Sequence, residues 1–405
     1  MTKTIRALAW PCMLLILAAC TDKDPGENGE AARPDPILIV DTHIDVPYRL
    51  QEHFEDVTRA TASGDFDYPR AVAGGLGVAF MSVYVPAELQ EPGKAREVVE
   101  DLVQTVQMIV QSGPDKFAMA GSTGQALDIV AEGKIALAMG MENGAGLEDD
   151  LANVAYFRDK GISYITLTHA KPNLICDSSY APERPWGGLS PYGRRVVEEM
   201  NRVGIMVDVS HVSDEAFWQV MDISAVPVIA SHSSARHFTP GFERNMSDDM
   251  IRRLAQDGGV IQINFGSAFL TVAANQWFTE FLAAQNSWIA AQEVMPGEEA
   301  KNVFEADYRT SHSMPYARLD DVLDHIDHVV KLVGVEHVGI GSDFDGVGDS
   351  LPAGLKDVSA YPNLIDGLRR RGYADVDIRK IMGANLMRVW RAVETHARTI
   401  GESAN

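Results

Sequence analysis

The stretch ILIVDTHID at residues 37–45 is a short apolar run that ends in a histidine and an aspartate. The same order, an apolar run followed by an ionisable residue, returns four times further along the chain. The ionisable residues are Glu142 in IALAMGMEN, His211 in GIMVDVSH, His232 in PVIASHS and Asp343 in VGIGSDFDG. Because the carboxyl ends of the strands of a parallel barrel meet on one face, this pattern predicts a barrel with a shared site at that face.

Strand-like segments recur from residue 37 onwards, and amphipathic helical patterns separate them. The eight strand-like segments lie near residues 37–45, 78–85, 135–142, 164–169, 204–211, 227–232, 259–265 and 337–343. The clearest helical segments lie at residues 94–112, 151–160, 191–203, 214–223 and 376–395. The length of 405 residues by itself allows one large barrel or two smaller domains. The alternation predicts an α/β fold with parallel strands, a (β/α)8 TIM barrel over residues 37–405.

The interval at residues 266–319 is longer than one crossover between strands needs. It carries its own aromatic residues, Trp277, Phe278, Phe281 and Trp288. We expect a long helical insertion before the last strand that covers the shared face, and a plain lengthened helix is the alternative.

The first twenty residues have the pattern of an export signal. Lys3 and Arg6 precede an apolar stretch at residues 7–19, which is short for a membrane span. The sequence LAAC that ends this stretch resembles the lipobox of bacterial lipoproteins, in which the signal is cut before the cysteine and the cysteine carries the lipid. We therefore expect a signal peptide at residues 1–19 and a membrane anchor through lipid on Cys20. An ordinary cleaved signal and an uncleaved anchor are the alternatives.

Residues 20–36 are rich in proline, glycine and acidic residues, and they predict a disordered tether. Cys176 has no cysteine partner left in the mature chain, since Cys12 lies in the signal, so no intrachain disulfide is expected. Without residues 1–19 the chain has 33 basic and 57 acidic residues, a net charge of −24. This charge disfavours nucleic acid and anionic lipid surfaces as partners. The anchor predicts a place in the bacterial cell envelope, with the folded domain on the periplasmic side.

Five of the ionisable residues at the ends of the strand-like segments have the chemistry of metal ligands. His43 and Asp45 stand two residues apart, so both side chains point to the same side of their strand and can chelate one ion. A hydrogen-bonded strand cap is the alternative for such a pair. Glu142 follows a strand too apolar to bury an unpaired carboxylate, and one or two ions would neutralise it. His211 and His232 end consecutive strands about 4.8 Å apart, within reach of one ion.

Imidazole and carboxylate are the ligands of hydrolytic zinc centres, and a hydroxide between two ions suits hydrolysis. Asp343 ends the last strand, beside the first strand once a barrel closes, and could carry a proton from the attacking water to the leaving amine. Asp345 shares the same side of the strand, so spacing does not exclude it, and a loop cap is its simpler role. His169, in YITLTHA, could polarise the scissile carbonyl or steady the oxyanion, with metal ligation as the alternative.

Taken together, these motifs resemble the membrane dipeptidase (renal dipeptidase) family of zinc peptidases, in a bacterial lipoprotein form. The matching pieces are DTHIDVP, GGLGVAFMSVYVP, MGMENG, YITLTHA, GLSPYGRRVVEEMNRVGIMVDVSHVS, PVIASHSSAR, GSDFDGV and GANLMRVW, in family order from residue 37 to about residue 395. The resemblance implies hydrolysis of free dipeptides, many with a D-residue at the C-terminal position, by an enzyme with two Zn²⁺ per chain. It also implies a homodimer.

The resemblance implies that His43 and Asp45 bind one zinc, that His211 and His232 bind the other, and that Glu142 bridges both.

The resemblance also implies how the substrate is held. Asp343 would transfer the proton and His169 would contact the substrate carbonyl. Arg244, in FERN, would bind the free carboxylate, with Tyr84 as a helper, and a guanidinium fork does match a carboxylate. The loop that carries this arginine is one residue longer than in the mammalian form, which makes Arg236 the alternative.

Two departures from the mammalian relatives border the expected pocket, namely the loop at residues 170–186 and the interval at residues 266–319. Side-chain specificity therefore does not carry over from the family. A metal hydrolase of the same fold that acts on another amide or a β-lactam is the first alternative function. A binding lipoprotein that kept the barrel and lost turnover is the second, and the filled catalytic positions argue against it.

Overall fold

The computed structural model describes residue 1 and residues 36–403, apart from residues 91, 92, 293 and 295. The predicted signal peptide, Cys20 and the tether up to residue 35 lie outside the described residues. The chain divides after residue 36, and the unit Ile37–Asn405 contains the strands and helices that follow. Among the described residues, none of the helices combines the length and the apolar character that a membrane crossing requires.

Parallel strands form the barrel that the sequence predicts. The strands are β1 (Ile39–Ile44), β2 (Leu76–Tyr84), β3 (Phe117–Met119), β4 (Ile135–Glu142), β5 (Ile162–Thr166), β6 (Met206–Asp208), β7 (Ile229–Ala230), β8 (Val260–Ile263) and β9 (Val338–Ile340). Their hydrogen-bonded order is β1-β2-β4-β5-β6-β7-β8-β9, and β3 pairs with β4. Beyond β9, the amide of Asp343 donates to the carbonyl of His43 at 3.1 Å and the amide of Asp45 donates to the carbonyl of Phe344 at 2.8 Å. These two bonds bring the ends of β1 and β9 together, so the barrel is nearly closed, and the predicted fold class is confirmed.

The strands differ from the prediction in two respects. β3 is an unpredicted ninth strand, and its three residues are too few to show a period. β6, β7 and β9 are shorter than the predicted segments at residues 204–211, 227–232 and 337–343. The carboxylate of Asp208 accepts hydrogen bonds from the amides of Ser210 at 3.1 Å and Ser231 at 2.8 Å. A side chain thus takes the donors that a longer backbone ladder would use.

Helices surround the strands. The α-helices are α1 (Val46–Glu52), α2 (Tyr68–Gly74), α3 (Lys94–Ser112), α4 (Thr123–Ala131), α5 (Ala152–Asp159), α6 (Pro191–Val203), α7 (Asp214–Ile223), α8 (Asp248–Gln256), α9 (Ser267–Leu270), α10 (Val272–Ala290), α11 (Glu298–Ser311), α12 (Leu319–Val333), α13 (Tyr361–Arg370), α14 (Asp375–Arg379) and α15 (Asn385–Ser403). Short 3-10 turns lie at Ala87–Leu89, Gly144–Leu147, Arg236–Phe238, Val335–His337 and Val358–Ala360. Serine side chains begin several helices: Ser190 accepts from the amide of Gly193, and Ser213 accepts from that of Ala216.

The last predicted helix, at residues 376–395, is interrupted. A π-helical segment, Lys380–Ala384, separates α14 from α15. Gly383 in this segment lies so close to β1 that a Cβ there would stand 2.6 Å from the side chain of Val40. The break therefore lets the backbone approach the first strand.

Alternate residues of the strands face opposite sides, as the strand period requires. One side packs against the surrounding helices. The other side fills the barrel interior, where Phe80 and Tyr164 stack with ring centroids 5.7 Å apart and share a cluster with the small residues Ala136 and Ala138. Trp390 of α15 packs on Phe80 with ring centroids 5.1 Å apart, so the last helix completes this inner core.

The predicted insertion at residues 266–319 is present before β9. It contains α9, α10 and α11 and reaches the start of α12, so the alternative of one lengthened helix is wrong. Trp277, Phe281 and Met314 form a small apolar cluster of their own within it, apart from the barrel core.

Candidate metal centre

The structure brings the five proposed metal ligands into one buried cluster at the carboxyl ends of the strands, and none of them is more than 6% exposed. His43 Nε2 lies 3.4 Å from Asp45 Oδ2 and 3.3 Å from Glu142 Oε2. The other oxygen, Glu142 Oε1, lies 3.1 Å from His211 Nε2 and 3.3 Å from His232 Nε2. The two carboxylate oxygens of Glu142 therefore face two separate groups of donors.

The cluster fits metal ions. Within the described part of the chain, His43 Nε2 and Asp45 Oδ2 are buried without a hydrogen-bond partner. Buried polar atoms are costly unless a partner satisfies them, and a cation between them would do so. Zinc–ligand bonds of about 2.0–2.2 Å place neighbouring ligand atoms at the separations seen here. The donor set of three histidines and two carboxylates suits two zinc ions.

Hydrogen bonds fix which nitrogen of His43 faces the cluster. The hydroxyl of Tyr164 donates to the carbonyl of Thr42 at 3.0 Å and lies 2.8 Å from His43 Nδ1. Because this hydroxyl has only one proton, His43 Nδ1 must be the donor of the second bond. Nε2 of His43 then carries the lone pair that a metal requires.

The same logic applies to His232. Its Nδ1 lies 2.7 Å from the hydroxyl of Ser231, which donates to Asp208 Oδ2 at 2.6 Å. His232 Nδ1 is therefore the donor, and Nε2 faces the cluster with its lone pair. Burial and the neighbouring His43 and Arg244 hold the pKa of His232 well below 6.5, which keeps the ring neutral. Burial, Arg244 and other neighbours also hold the pKa of His211 well below its usual range.

The carboxylates draw positive charge into the cluster. Burial raises the pKa of Glu142, but the neighbouring charge of His43 outweighs it and holds the pKa well below 4.5. Burial lowers the pKa of His43, but Tyr164, Asp45 and Glu142 outweigh it and raise the pKa well above 6.5. Without a cation, protons on this cluster would have to balance its charge, which is the electrostatic signature of a cation site.

Asp343 and Asp345, which spacing alone does not separate, point to different partners. Asp343 Oδ1 lies 3.9 Å from His43 Nε2, and its Oδ2 accepts from Asn264 Nδ2 at 2.7 Å. Burial, with Asp45 adding to it, raises the pKa of Asp343 to about 8. Asp345 instead pairs with Arg49 at 3.0 Å and accepts from a backbone amide in the loop that follows α1. Asp343 faces the cluster, and Asp345 holds a loop.

Three of these residues have unusual backbone geometry. His211, Asp343 and Asp345 have φ angles of 70°, 64° and 65°, the left-handed region that non-glycine residues seldom adopt. Such strain persists only where the surrounding structure holds it, and it is common at functional sites.

His169 and Tyr84 lie at the rim of the cluster. Tyr84 pairs in register with Glu142 of β4, and its hydroxyl lies 3.5 Å from His169 Nδ1. His169 Nε2 lies 3.6 Å from Glu142 Oε1, and its ring centroid is 4.2 Å from that of His211. Burial lowers the pKa of His169, so its ring is neutral. The geometry suits a contact to a bound carbonyl and also leaves metal ligation open.

Arg244 is buried beside the cluster and is 3% exposed. Its guanidinium donates to the hydroxyl of Ser233 and to the carbonyl of His232, both at 2.8 Å, and lies 2.9 Å from His211 Nε2. The alternative, Arg236, is bound through two nitrogens to Asp214 at 2.7 and 2.6 Å. Arg244 therefore faces the cluster, whereas Arg236 has a carboxylate partner of its own.

A cavity of about 480 Å³ lies over the cluster. Glu142, His169 and Asp343 line it on one side, and aromatic residues of the insertion line it on the other. Tyr180 also lines it, with a ring centroid 5.8 Å from that of His211.

The sequence analysis missed several residues of this site. Asn264 directly follows β8, so the rule that polar residues follow strands would have found it. Tyr180 lies in the loop at residues 170–186, for which the sequence predicted only a position beside the pocket. The sequence does not identify Tyr164 as part of the site, because tyrosine is common within strands as a core residue.

Known proteins are similar to this chain in sequence and in fold. A family model described as membrane dipeptidase (peptidase family M19) matches residues 35–404. The dipeptidase tcpJ of Claviceps purpurea (strain 20.1) is 35% identical over 339 residues, which cover 82% of this chain and 70% of tcpJ. The dipeptidase aclJ of Aspergillus oryzae (strain ATCC 42149 / RIB 40) is 33% identical over 348 residues, which cover 84% of this chain and 72% of aclJ.

A solved structure agrees with these relatives. The crystal structure of the probable dipeptidase PvdM from Pseudomonas aeruginosa has a TM-score of 0.77 and 29% identity, over 89% of this chain and 96% of PvdM. The family model covers the whole folded unit except its final residue. The chain therefore belongs to the membrane dipeptidase family, peptidase family M19, and is a hydrolase of that family.

Proposed function

We propose that this protein is a zinc dipeptidase that hydrolyses the peptide bond of free dipeptides, L,D-dipeptides among them. The observation that carries the proposal is the position of Glu142, whose Oε2 faces His43 and whose Oε1 faces His211 and His232. One carboxylate between two sets of donors is the arrangement that a pair of ions needs.

Each ligand has a place in this proposal. His43 and Asp45 would hold one zinc, His211 and His232 would hold the other, and Glu142 would hold both. When bound, the two ions supply Lewis-acid activation of water and of the peptide carbonyl.

The size of the substrate follows from Arg244. A carboxylate bound by its guanidinium would lie next to the cluster, since that guanidinium is 2.9 Å from His211 Nε2. The peptide bond that reaches the metal cluster is then the last one of the substrate, next to its free C-terminal carboxylate. The cavity of about 480 Å³ over the cluster is of a size that a dipeptide would occupy.

The chain's own residues move the proton and position the carbonyl. Asp343 takes the proton of the attacking water and delivers it to the nitrogen of the breaking C–N bond, which leaves as an amine. Asn264 holds the other oxygen of Asp343 at 2.7 Å and so fixes its direction. His169 lies where it can contact the carbonyl oxygen, with Tyr84 beside its Nδ1 at 3.5 Å.

The lipid anchor on Cys20, the periplasmic location and the homodimer are part of the same proposal. The LAAC sequence supports the anchor, and the family resemblance supports the dimer.

A substrate panel tests the function. We expect the purified protein to hydrolyse alanyl-alanine in its L,L and L,D forms, to leave tripeptides, dipeptide amides and β-lactams largely uncut, and to lose activity in a metal chelator. Full activity in the chelator or efficient cleavage of long peptides would overturn the proposal. Cleavage of a β-lactam in preference to dipeptides would support the alternative hydrolase.

Replacement of Arg244 tests how the carboxylate is bound. Arg244→Lys keeps the charge but loses the two-pronged fork, so kcat/KM for free dipeptides should fall about 100-fold, mainly through KM. Dipeptide amides should be affected far less. Arg252→Lys, at an exposed pair with Asp249 of 2.8 Å, is the matched control and should behave as wild type. An unchanged KM in Arg244→Lys would remove Arg244 from substrate binding.

A further inference from the structure

The cavity over the cluster has a second wall for which the reaction has no use. Trp277, Phe278 and Phe281 of α10 line the same cavity as Glu142 and Asp343. Reactive groups therefore line one part of this cavity, and large apolar side chains line another part. A substrate bound at the cluster has a free side chain that must occupy some part of this space.

The aromatic wall is held in place by its own contacts. The rings of Trp277 and Phe281 stack with centroids 5.5 Å apart and planes inclined by 10°. Tyr308 of α11 packs edge-on against both, at 5.6 and 5.4 Å. The indole nitrogen of Trp277 donates to the carbonyl of His312 at 2.8 Å, which satisfies its polar atom within the insertion. The aromatic wall is thus fixed in place, and Phe278 is its most exposed ring, since Trp277 and Phe281 are buried and Phe278 is only partly buried.

The charges at this wall cancel. Arg309 and Glu305 of α11 both line the cavity, and they pair with each other at 2.7 Å. The Arg309 guanidinium also lies over the ring of Trp277, 5.0 Å from its centroid. A cation that is already paired and stacked attracts an acidic side chain weakly, and the paired carboxylate attracts a basic side chain weakly. The wall therefore suits an uncharged apolar group.

We infer that α10 and α11 form a binding site for one bulky apolar side chain of the dipeptide, of the size of phenylalanine or leucine. The inference rests on the proposed dipeptidase function. Burial of such a side chain against the aromatic wall adds apolar contact that alanine does not make. The enzyme should therefore prefer dipeptides with one large apolar residue over alanyl-alanine.

Kinetics with three dipeptides test this site: alanyl-alanine, phenylalanyl-alanine and alanyl-phenylalanine. The wild-type protein should show a higher kcat/KM for one of the two phenylalanine dipeptides, and which one it is assigns the wall to the N-terminal or the C-terminal residue. Trp277→Ala should lower the ratio of kcat/KM for that dipeptide to kcat/KM for alanyl-alanine about 10-fold or more. Phe278→Ala should lower the same ratio and removes less buried surface, since Phe278 is only partly buried.

Trp288→Ala is the matched control. Trp288 stacks on Phe304 at 4.9 Å in the same insertion but does not line the cavity, so its removal should leave the ratio unchanged. Circular dichroism of each variant checks that the insertion stays folded. Equal rates for all three dipeptides in the wild type, or an unchanged ratio in both Trp277→Ala and Phe278→Ala, would overturn the inference. Failure of the proposed function is distinguishable, because the wild type would then cleave none of the three.

Discussion

The mouth of the barrel and the α10–α11 insertion face the same cavity but are built in opposite ways. At the mouth, charged and polar side chains are almost fully buried, and hydrogen bonds such as Tyr164 to His43 fix their direction. The insertion presents stacked aromatic rings that form a cluster apart from the barrel core. The groups suited to the reaction thus lie at the strand ends of the barrel, whereas the groups proposed to select the substrate side chain lie on the α10–α11 insertion. Each region should therefore respond to mutation in its own measurable way.

The largest effect is expected at Glu142. In Glu142→Gln one carboxylate oxygen becomes an amide NH₂, which cannot accept on that side, so the bridge between the two donor groups is lost. We expect metal content to fall below two ions per chain and kcat/KM to fall about 1000-fold or more. Metal analysis by mass spectrometry and steady-state kinetics measure the two quantities.

Glu52→Gln is the control for this substitution. Glu52 lines the cavity but lies outside the ligand cluster, so its replacement should leave the metal content unchanged. Retention of two ions and of activity in Glu142→Gln would contradict the assignment of Glu142 as the bridge.

A smaller effect is expected one step away from the ions. Tyr164→Phe keeps the ring but removes the oxygen that accepts from His43 Nδ1 at 2.8 Å. Loss of such a partner should weaken zinc binding about 10- to 100-fold, which competition with a chromophoric chelator measures. Tyr84→Phe is the comparison, because the hydroxyl of Tyr84 contacts His169 and not His43. The zinc affinity of the Tyr84→Phe variant should stay at the wild-type value. Equal affinities in both variants would mean that the tyrosine does not orient His43.

The barrel and the cluster of donor side chains at its strand ends could be predicted because their signal is local. A short apolar run followed by an ionisable residue marks a strand end, and parallel strands bring such ends together. Tyr164 could not be predicted as part of the site, because the sequence of a strand does not show which residue its hydroxyl contacts. The family resemblance favoured Asp343 over Asp345 and Arg244 over Arg236, although the residues alone did not separate them, since each pair has the same chemistry. The structure shows which member of each pair faces the cluster.

The insertion shows the same limit. Its aromatic residues and helical character were visible in the sequence, and the structure confirms both. Trp277 lines the cavity, whereas Trp288 packs on Phe304. This difference depends on how α10 packs against α11, which the spacing of apolar residues does not determine.

The smallest effect is expected for the stability of the insertion. Trp390 is fully buried in the barrel interior, so Trp390→Ala should lower the free energy of unfolding by about 3–5 kcal/mol. Trp288 is partly exposed and packs on Phe304 within the insertion, so Trp288→Ala should lower it by about 1 kcal/mol or less. Denaturant unfolding measures both, and hydrogen exchange should show faster opening of α10 and α11 in Trp288→Ala while the strands keep their protection. A global loss in Trp288→Ala as large as that in Trp390→Ala would mean that the insertion and the barrel unfold as one unit, and changes in selectivity could then not be separated from changes in the scaffold.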